Sequence, residues 1–148
     1  MKFTKMHGCG NDYVYVNCFE ETVEDRPALA RLVSDRHFGV GGDGLICICP
    51  SEKADFKMDM YNADGSVGQM CGNGIRCVAK YVYERGMTKK SVIDVETGAG
   101  VKTLWMNTEN GIVESVRVCM GSPEFKAKNV PVLTESEVFI NQPLEVGG

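Results

Sequence analysis

The chain has 148 residues and is 43% hydrophobic, 24% charged and 8% aromatic, the profile of one ordinary globular domain long enough to enclose a core. Sixteen Lys and Arg against 20 Asp and Glu give a net charge of −4, and a mildly acidic surface without a basic stripe argues against nucleic acid or an anionic membrane as the main partner. The longest unbroken apolar run, Leu45 to Cys49, is five residues where a spanning helix needs about 20, and MKFTKMHGCGND at the start lacks the apolar stretch of a secretory signal, so a soluble, cytoplasmic protein is expected.

In chain order, Lys2 to His7 and Asp12 to Phe19 read as strands, the second through the β-rich DYVYVNCF, with the glycine-rich bend HGCGND between them. Pro27 suits the first turn of a helix whose apolar stripe is Ala28, Leu29, Leu32 and Val33. RHFGVGGDG reads as a flexible loop. Leu45 to Cys49 is a short buried strand stopped by Pro50, and Phe56, Met58 and Met60 alternate with Lys57, Asp59 and Tyr61 as a half-buried strand ending in the turn Asn62-Ala63-Asp64-Gly65. In CGNGIRCVAKYVYERG, Ile75, Val78, Ala79 and Val82 recur at helical spacing, Arg76, Lys80 and Glu84 crowd one narrow sector, and Gly86 makes a natural stop. A helix so apolar is enclosed by other elements rather than laid on a surface. Strands are expected at Val92 to Glu96, Val101 to Met106 and Ile112 to Met120, with a last one over Val138 to Val146. One enclosed helix amid about eight short strands implies an α+β domain, a strongly curved, mostly antiparallel, barrel-like sheet wrapped around a central helix.

The seven cysteines are odd in number and scattered through apolar and glycine-rich contexts, which with no export signal reads as reduced thiols. Cys47 and Cys49 lie on one face of a strand, so core packing is favoured over metal binding. Cys71 differs, because it sits where the central helix begins, followed by Gly72-Asn73-Gly74. First-turn amides have no partner within a helix and favour negative charge. The two glycines let a carboxylate approach those amides closely, and the same field stabilises a thiolate. Two readings stay open on these residues alone: a nucleophile or general base beside a carboxylate cradle, or a buried, inert cysteine at a helix start.

HGCGNDYV, RHFGVGGDG and YNADGSVGQMCGNGIRC, in that order, resemble the N-terminal half of diaminopimelate epimerase. The resemblance spans essentially all 148 residues and implies one half of a pseudo-symmetric two-domain epimerase fold with its active site in the cleft between halves. It further implies interconversion of L,L- and meso-2,6-diaminopimelate, a step of lysine biosynthesis, without pyridoxal phosphate, metal or other cofactor. Two cysteines act on opposite faces of the substrate α-carbon. By the same resemblance Cys71 is one of these, Gly72 and Asn73 hold the reacting α-carboxylate through their amides, and Asn11 and Asn62 contact substrate. Without the resemblance, Asn11 reads as a loop residue satisfying its own backbone and Asn62 as a turn former.

Two departures accompany it. Nothing after Val101 resembles the family's second reactive cysteine, since Cys119 lies in the strand-like VRVCMG. Gly44 stands where some members carry a polar, substrate-contacting residue. The expectation is a single N-terminal epimerase domain over 1–148, with the second domain absent and the fragment alone unable to invert its substrate. The expected partners are a small amino-acid substrate and, through an apolar face left exposed, a second copy or the missing C-terminal half. The competing readings are a proline-racemase-like enzyme of the same fold, a non-catalytic carboxylate-binding module, and a thiol hydrolase using His7 or His37.

Overall fold

A computed structural model describes residues 1–130 and 132–143. In chain order it contains β1 (Thr4–Gly8), β2 (Asn11–Asn17), α1 (Arg26–Ser34), β3 (Gly44–Cys49), β4 (Phe56–Asn62), β5 (Val67–Gly68), α2 (Gly72–Glu84), β6 (Val92–Thr97), β7 (Gly100–Glu109) and β8 (Ile112–Val118). The strands form one sheet in the order β1-β2-β3-β4-β6-β7-β8, with β5 also on β4. The β2–β3 and β4–β6 pairs are parallel and the others antiparallel. The expected mostly antiparallel sheet is therefore present.

Curvature follows from where α2 lies. It packs on β1 and β2 at one end of the sheet and on β7 and β8 at the other, which a flat sheet could not offer a single helix. The concave face supplies Tyr13, Tyr15, Ile46, Ile48, Met58, Ile93 and Leu104 to a core around Ile75, Val78, Ala79 and Val82 of α2. The alternate residues of β2 and β3, Val14, Val16, Leu45, Cys47 and Cys49, face the convex side and are covered by Ala30 and Val33 of α1. Both faces of these strands are thus buried, which is why β3 reads as a continuous apolar run. The polar sector of α2 runs along the seam between the two sheet edges. There Lys80 Nζ donates to Val113 O at 2.9 Å, and Glu84 accepts from Val113 N at 2.9 Å. Gly86 stops the helix as expected, at φ +71° with its amide on Tyr83 O.

Three expectations need correction. The inward stripe of α1 is Ala30 and Val33, with Leu29 partly covered, whereas Leu32 is 66% exposed and Ala28 is exposed. Asp25 caps the helix through Ala28 N, and Ala30 and Val33, three residues apart, pack on Val14, Val16, Leu45, Cys47 and Cys49 of the sheet. RHFGVGGDG is not a free loop: the amides of Val40, Gly41 and Gly42 bond to Val33 O and Ser34 O, and Asp43 N bonds to Asp12 O. The strand expected over Val138 to Val146 is, among the described residues, a single bridge between Lys126 and Val138. Asn141 has φ +52° and Pro143 has no N–H to pair, and residues 144–146 of that strand lie outside the described residues.

Candidate active site

Cys71 is the N-cap of α2, in extended conformation at φ −132° and ψ 114°. Its Sγ accepts a hydrogen bond from Gly74 N at 3.2 Å, the place a Ser or Asp side chain takes in an ordinary cap. Its carbonyl accepts from Ile75 N at 2.9 Å. That leaves the Gly72 and Asn73 amides as the first-turn donors with no acceptor inside the helix. A Cβ at Gly72 would meet nothing nearer than the Met120 side chain at 3.8 Å, so the space beside this residue is open. Asn73 is fixed from two sides. Arg76 donates to its Oδ1 at 2.6 Å, and a Cβ at Gly8 would sit only 3.0 Å from its carbonyl oxygen, so the β1–β2 turn packs directly on the start of the helix.

Asn11, sixty positions earlier in the chain, meets the same sulfur: Cys71 Sγ donates to Asn11 Oδ1 at 3.1 Å. The Asn11 side-chain amide donates to Asp43 Oδ2 at 2.6 Å, and Asp43 also accepts from Asp12 N at 3.1 Å and from Arg36 at 3.0 Å. Asp12 pairs with Arg36 and Lys5, and these cations hold its carboxyl well below the usual carboxylate range. The side chain of Asn11 is thus spent on the site and its support rather than on its own loop. Asn62 is different. It lies across β3 from this cluster, opposite Gly44, and its Nδ2 donates to Ser66 Oγ at 2.9 Å within the turn.

The structure adds two residues that the motifs did not single out. Asp43 is the carboxylate behind Asn11. Tyr13, 4% exposed, belongs to the core cluster against which Cys71 packs. Burial, followed by the neighbouring Cys71, pushes the Tyr13 phenol up to about 12, against a smaller opposing pull from Asn11. The signal for Tyr13 was present as the alternation Tyr13-Tyr15, which puts both rings on the face that α2 covers. Among the other cysteines, Cys77 is buried in the core, Cys47 and Cys49 pack under α1, and Cys9 and Cys119 are exposed. The free donors beside Cys71 are the Gly72 and Asn73 N–H groups, a set suited to an anion.

The sequence profile of the family described as diaminopimelate epimerase matches residues 3–126. Diaminopimelate epimerase of Acetivibrio thermocellus is 59% identical over 148 residues, all of this chain and 53% of that protein. The enzyme of the same name from Agathobacter rectalis is 55% identical over 154 aligned positions, covering 99% of this chain and 54% of that protein. In fold, the chain is similar to a hydroxyproline epimerase from Agrobacterium vitis solved with bound trans-4-OH-L-proline, with a TM-score of 0.59 at 16% identity over 78% of this chain and 40% of that one. The chain spans about half the length of the curated relatives it matches.

Proposed function

The chain belongs to the diaminopimelate epimerase family, and from that premise we propose that it contributes one wall of a pyridoxal-phosphate-independent amino-acid epimerase acting on 2,6-diaminopimelate. Cys71 is the base on that wall. Its thiolate takes the α-proton, and the electron pair of the broken C–H bond moves toward the α-carboxylate. Charge therefore grows where the Gly72 and Asn73 amides point, so donors fixed before the reaction stabilise the transition state more than the ground state. Asn11 orients the thiol, and Asn62 reaches substrate from the end of β4. Inversion requires a proton delivered to the opposite face of the same carbon, which in this reading comes from a second thiol on a second, similarly folded half. Residues 1–148 alone then bind substrate without inverting it.

The observation that carries this reading is the sulfur of Cys71 acting as its own helix cap, 3.2 Å from Gly74 N and 3.1 Å from Asn11 Oδ1. The test is α-hydrogen exchange in D2O. The full-length protein carrying this chain exchanges the α-hydrogen of diaminopimelate and inverts the centre, and Cys71→Ser removes inversion by a factor of about 1,000 or more. Unchanged inversion in that variant, or turnover of proline in place of diaminopimelate, defeats the proposal. So does inversion by residues 1–148 in isolation, as far as the division between two walls is concerned.

A further inference from the structure

We propose that Asp43 is a positioning residue for the reactive thiol, its carboxylate locking the side-chain amide of Asn11 in the orientation that presents an acceptor, and not a donor, to the sulfur of Cys71. The role rests on the reading of Cys71 as the base.

An asparagine amide has two ends of similar shape and opposite chemistry, an oxygen that accepts and an NH2 that donates, and a half-turn exchanges them. Which end of Asn11 meets Cys71 is decided on its far side. There Nδ2 donates to Asp43 Oδ2 at 2.6 Å. A carboxylate has no proton to give, so turning the amide would set two acceptors against each other and break a hydrogen bond to a charged group. Oδ1 is thereby left facing the sulfur, which donates to it at 3.1 Å. The same sulfur accepts from Gly74 N at 3.2 Å. One contact takes the thiol proton and the other supplies a donor, so the direction of the S–H bond is set together with the place of the sulfur.

Asp43 is itself held for this task. Its backbone N–H donates to Asp12 O at 2.6 Å, its Oδ2 also accepts from Asp12 N at 3.1 Å, and its Oδ1 accepts from Arg36 at 3.0 Å. Arg36 also donates to Asp12 Oδ1 at 2.8 Å, and Lys5 Nζ pairs with Asp12 Oδ2 at 2.9 Å. Two cations on two carboxylates let Asp12 and Asp43 lie side by side. Because Asn11 Nδ2 and Asp12 N converge on one oxygen of Asp43, what position 43 supplies to Asn11 is an acceptor. An asparagine there keeps that oxygen and an alanine does not. The other titratable and charged groups around Cys71 are Tyr13 and Tyr15 of β2 and Cys77 of α2, in the core it packs against, and Arg76 of α2, turned to Asn73 Oδ1 at 2.6 Å. Substitution at position 43 replaces none of them.

The test compares Asp43→Ala with Asp43→Asn, both of which remove the charge while only the second keeps the acceptor. In the full-length protein carrying this chain, alkylation of residue 71 by iodoacetamide is followed by peptide mass spectrometry across about pH 6 to 10. In Asp43→Ala the Asn11 amide is free to turn and donate Nδ2 to the thiolate, so the half-maximal pH falls about one unit below that of Asp43→Asn. Equal half-maximal pH in the two variants overturns the proposal. Steady-state inversion gives a second readout. A thiolate bonded to Nδ2 is a weaker base in an unfixed orientation, so Asp43→Ala lowers kcat about tenfold or more. KM stays within about twofold, since the Gly72 and Asn73 amides are untouched, and Asp43→Asn restores most of kcat. An unchanged kcat in Asp43→Ala is equally fatal. If Asp43→Ala does not fold, Asp43→Leu, close to asparagine in shape and without an acceptor, takes its place. Alkylation needs no turnover, so equal midpoints overturn the role of Asp43 and leave proton abstraction by Cys71 standing. Absent α-deuterium exchange in the unsubstituted full-length protein overturns the epimerase reading and leaves the alkylation comparison to decide on Asp43.

Discussion

At the scale of single residues, the site is set by positions where a side chain is refused as much as by those where one acts. Gly44 is the clearest case, because any Cβ there collides with the Tyr61 carbonyl and the Tyr13 ring. Replacing it with alanine is expected to cost about 2–3 kcal/mol in urea unfolding, the usual penalty of overpacking, since a backbone carbonyl inside a ladder cannot step aside. Cys71 and its two glycines were legible in the sequence, because a helix start with flanking glycines advertises itself locally. Asn11 was legible only through the family's motifs: nothing near HGCGND says that its partner is a cysteine sixty positions away. Asp43 escaped for the same reason, as its bond to Asn11 joins segments that are distant in sequence.

At the scale of elements, helical periodicity served α2 far better than α1. The thirteen residues of α2 carry an apolar stripe several turns long, and Ile75, Val78, Ala79 and Val82 are all buried as their spacing implied. The nine residues of α1 offer too few turns for the pattern to choose between neighbouring faces, and packing on the sheet beneath decides it. The consequence is measurable: Leu32→Glu should alter unfolding free energy by less than about 0.5 kcal/mol. Val33→Glu, one position on and buried, should cost upward of about 3 kcal/mol by placing a carboxylate in an apolar layer. Equal effects of the two substitutions would show that α1 is rotated from the orientation described. The short β5 and the fastening of the loop after α1 left no trace in the pattern, because both depend on backbone hydrogen bonds that any residue could make.

At the scale of the whole molecule, the ionisable groups predict how stability varies with pH. Asp12, paired with Arg36 and Lys5, and Glu84, bonded to Lys80, have carboxyls held below their ordinary values. Each contributes stability that is complete above the ordinary carboxylate range and fades as pH falls. Cys18, raised to about 11 by Cys47 and by burial against a smaller opposing pull from Cys49, and the Tyr13 phenol act in the opposite sense, complete below their ordinary values and fading as pH rises through them. Unfolding free energy should therefore be level between about pH 5 and 8 and decline on both sides. Asp12→Asn should lower the level stretch by about 1 kcal/mol and shallow the acid decline, as read by urea titrations at several pH values. An acid decline as steep in the variant as in the parent would remove Asp12 from that account. The enclosure of α2 also bears on how the chain reaches this state. The β4–β6 pair is parallel and its strands are joined through α2, so the ladder there closes only after a long crossover has formed, and such non-local closure is slow. Until the chain has folded, Cys47, Cys49 and Cys77, which the native core buries, are open to oxidation. A reductant present from the first moment of dilution, rather than added afterwards, is what should decide the yield of correctly assembled protein.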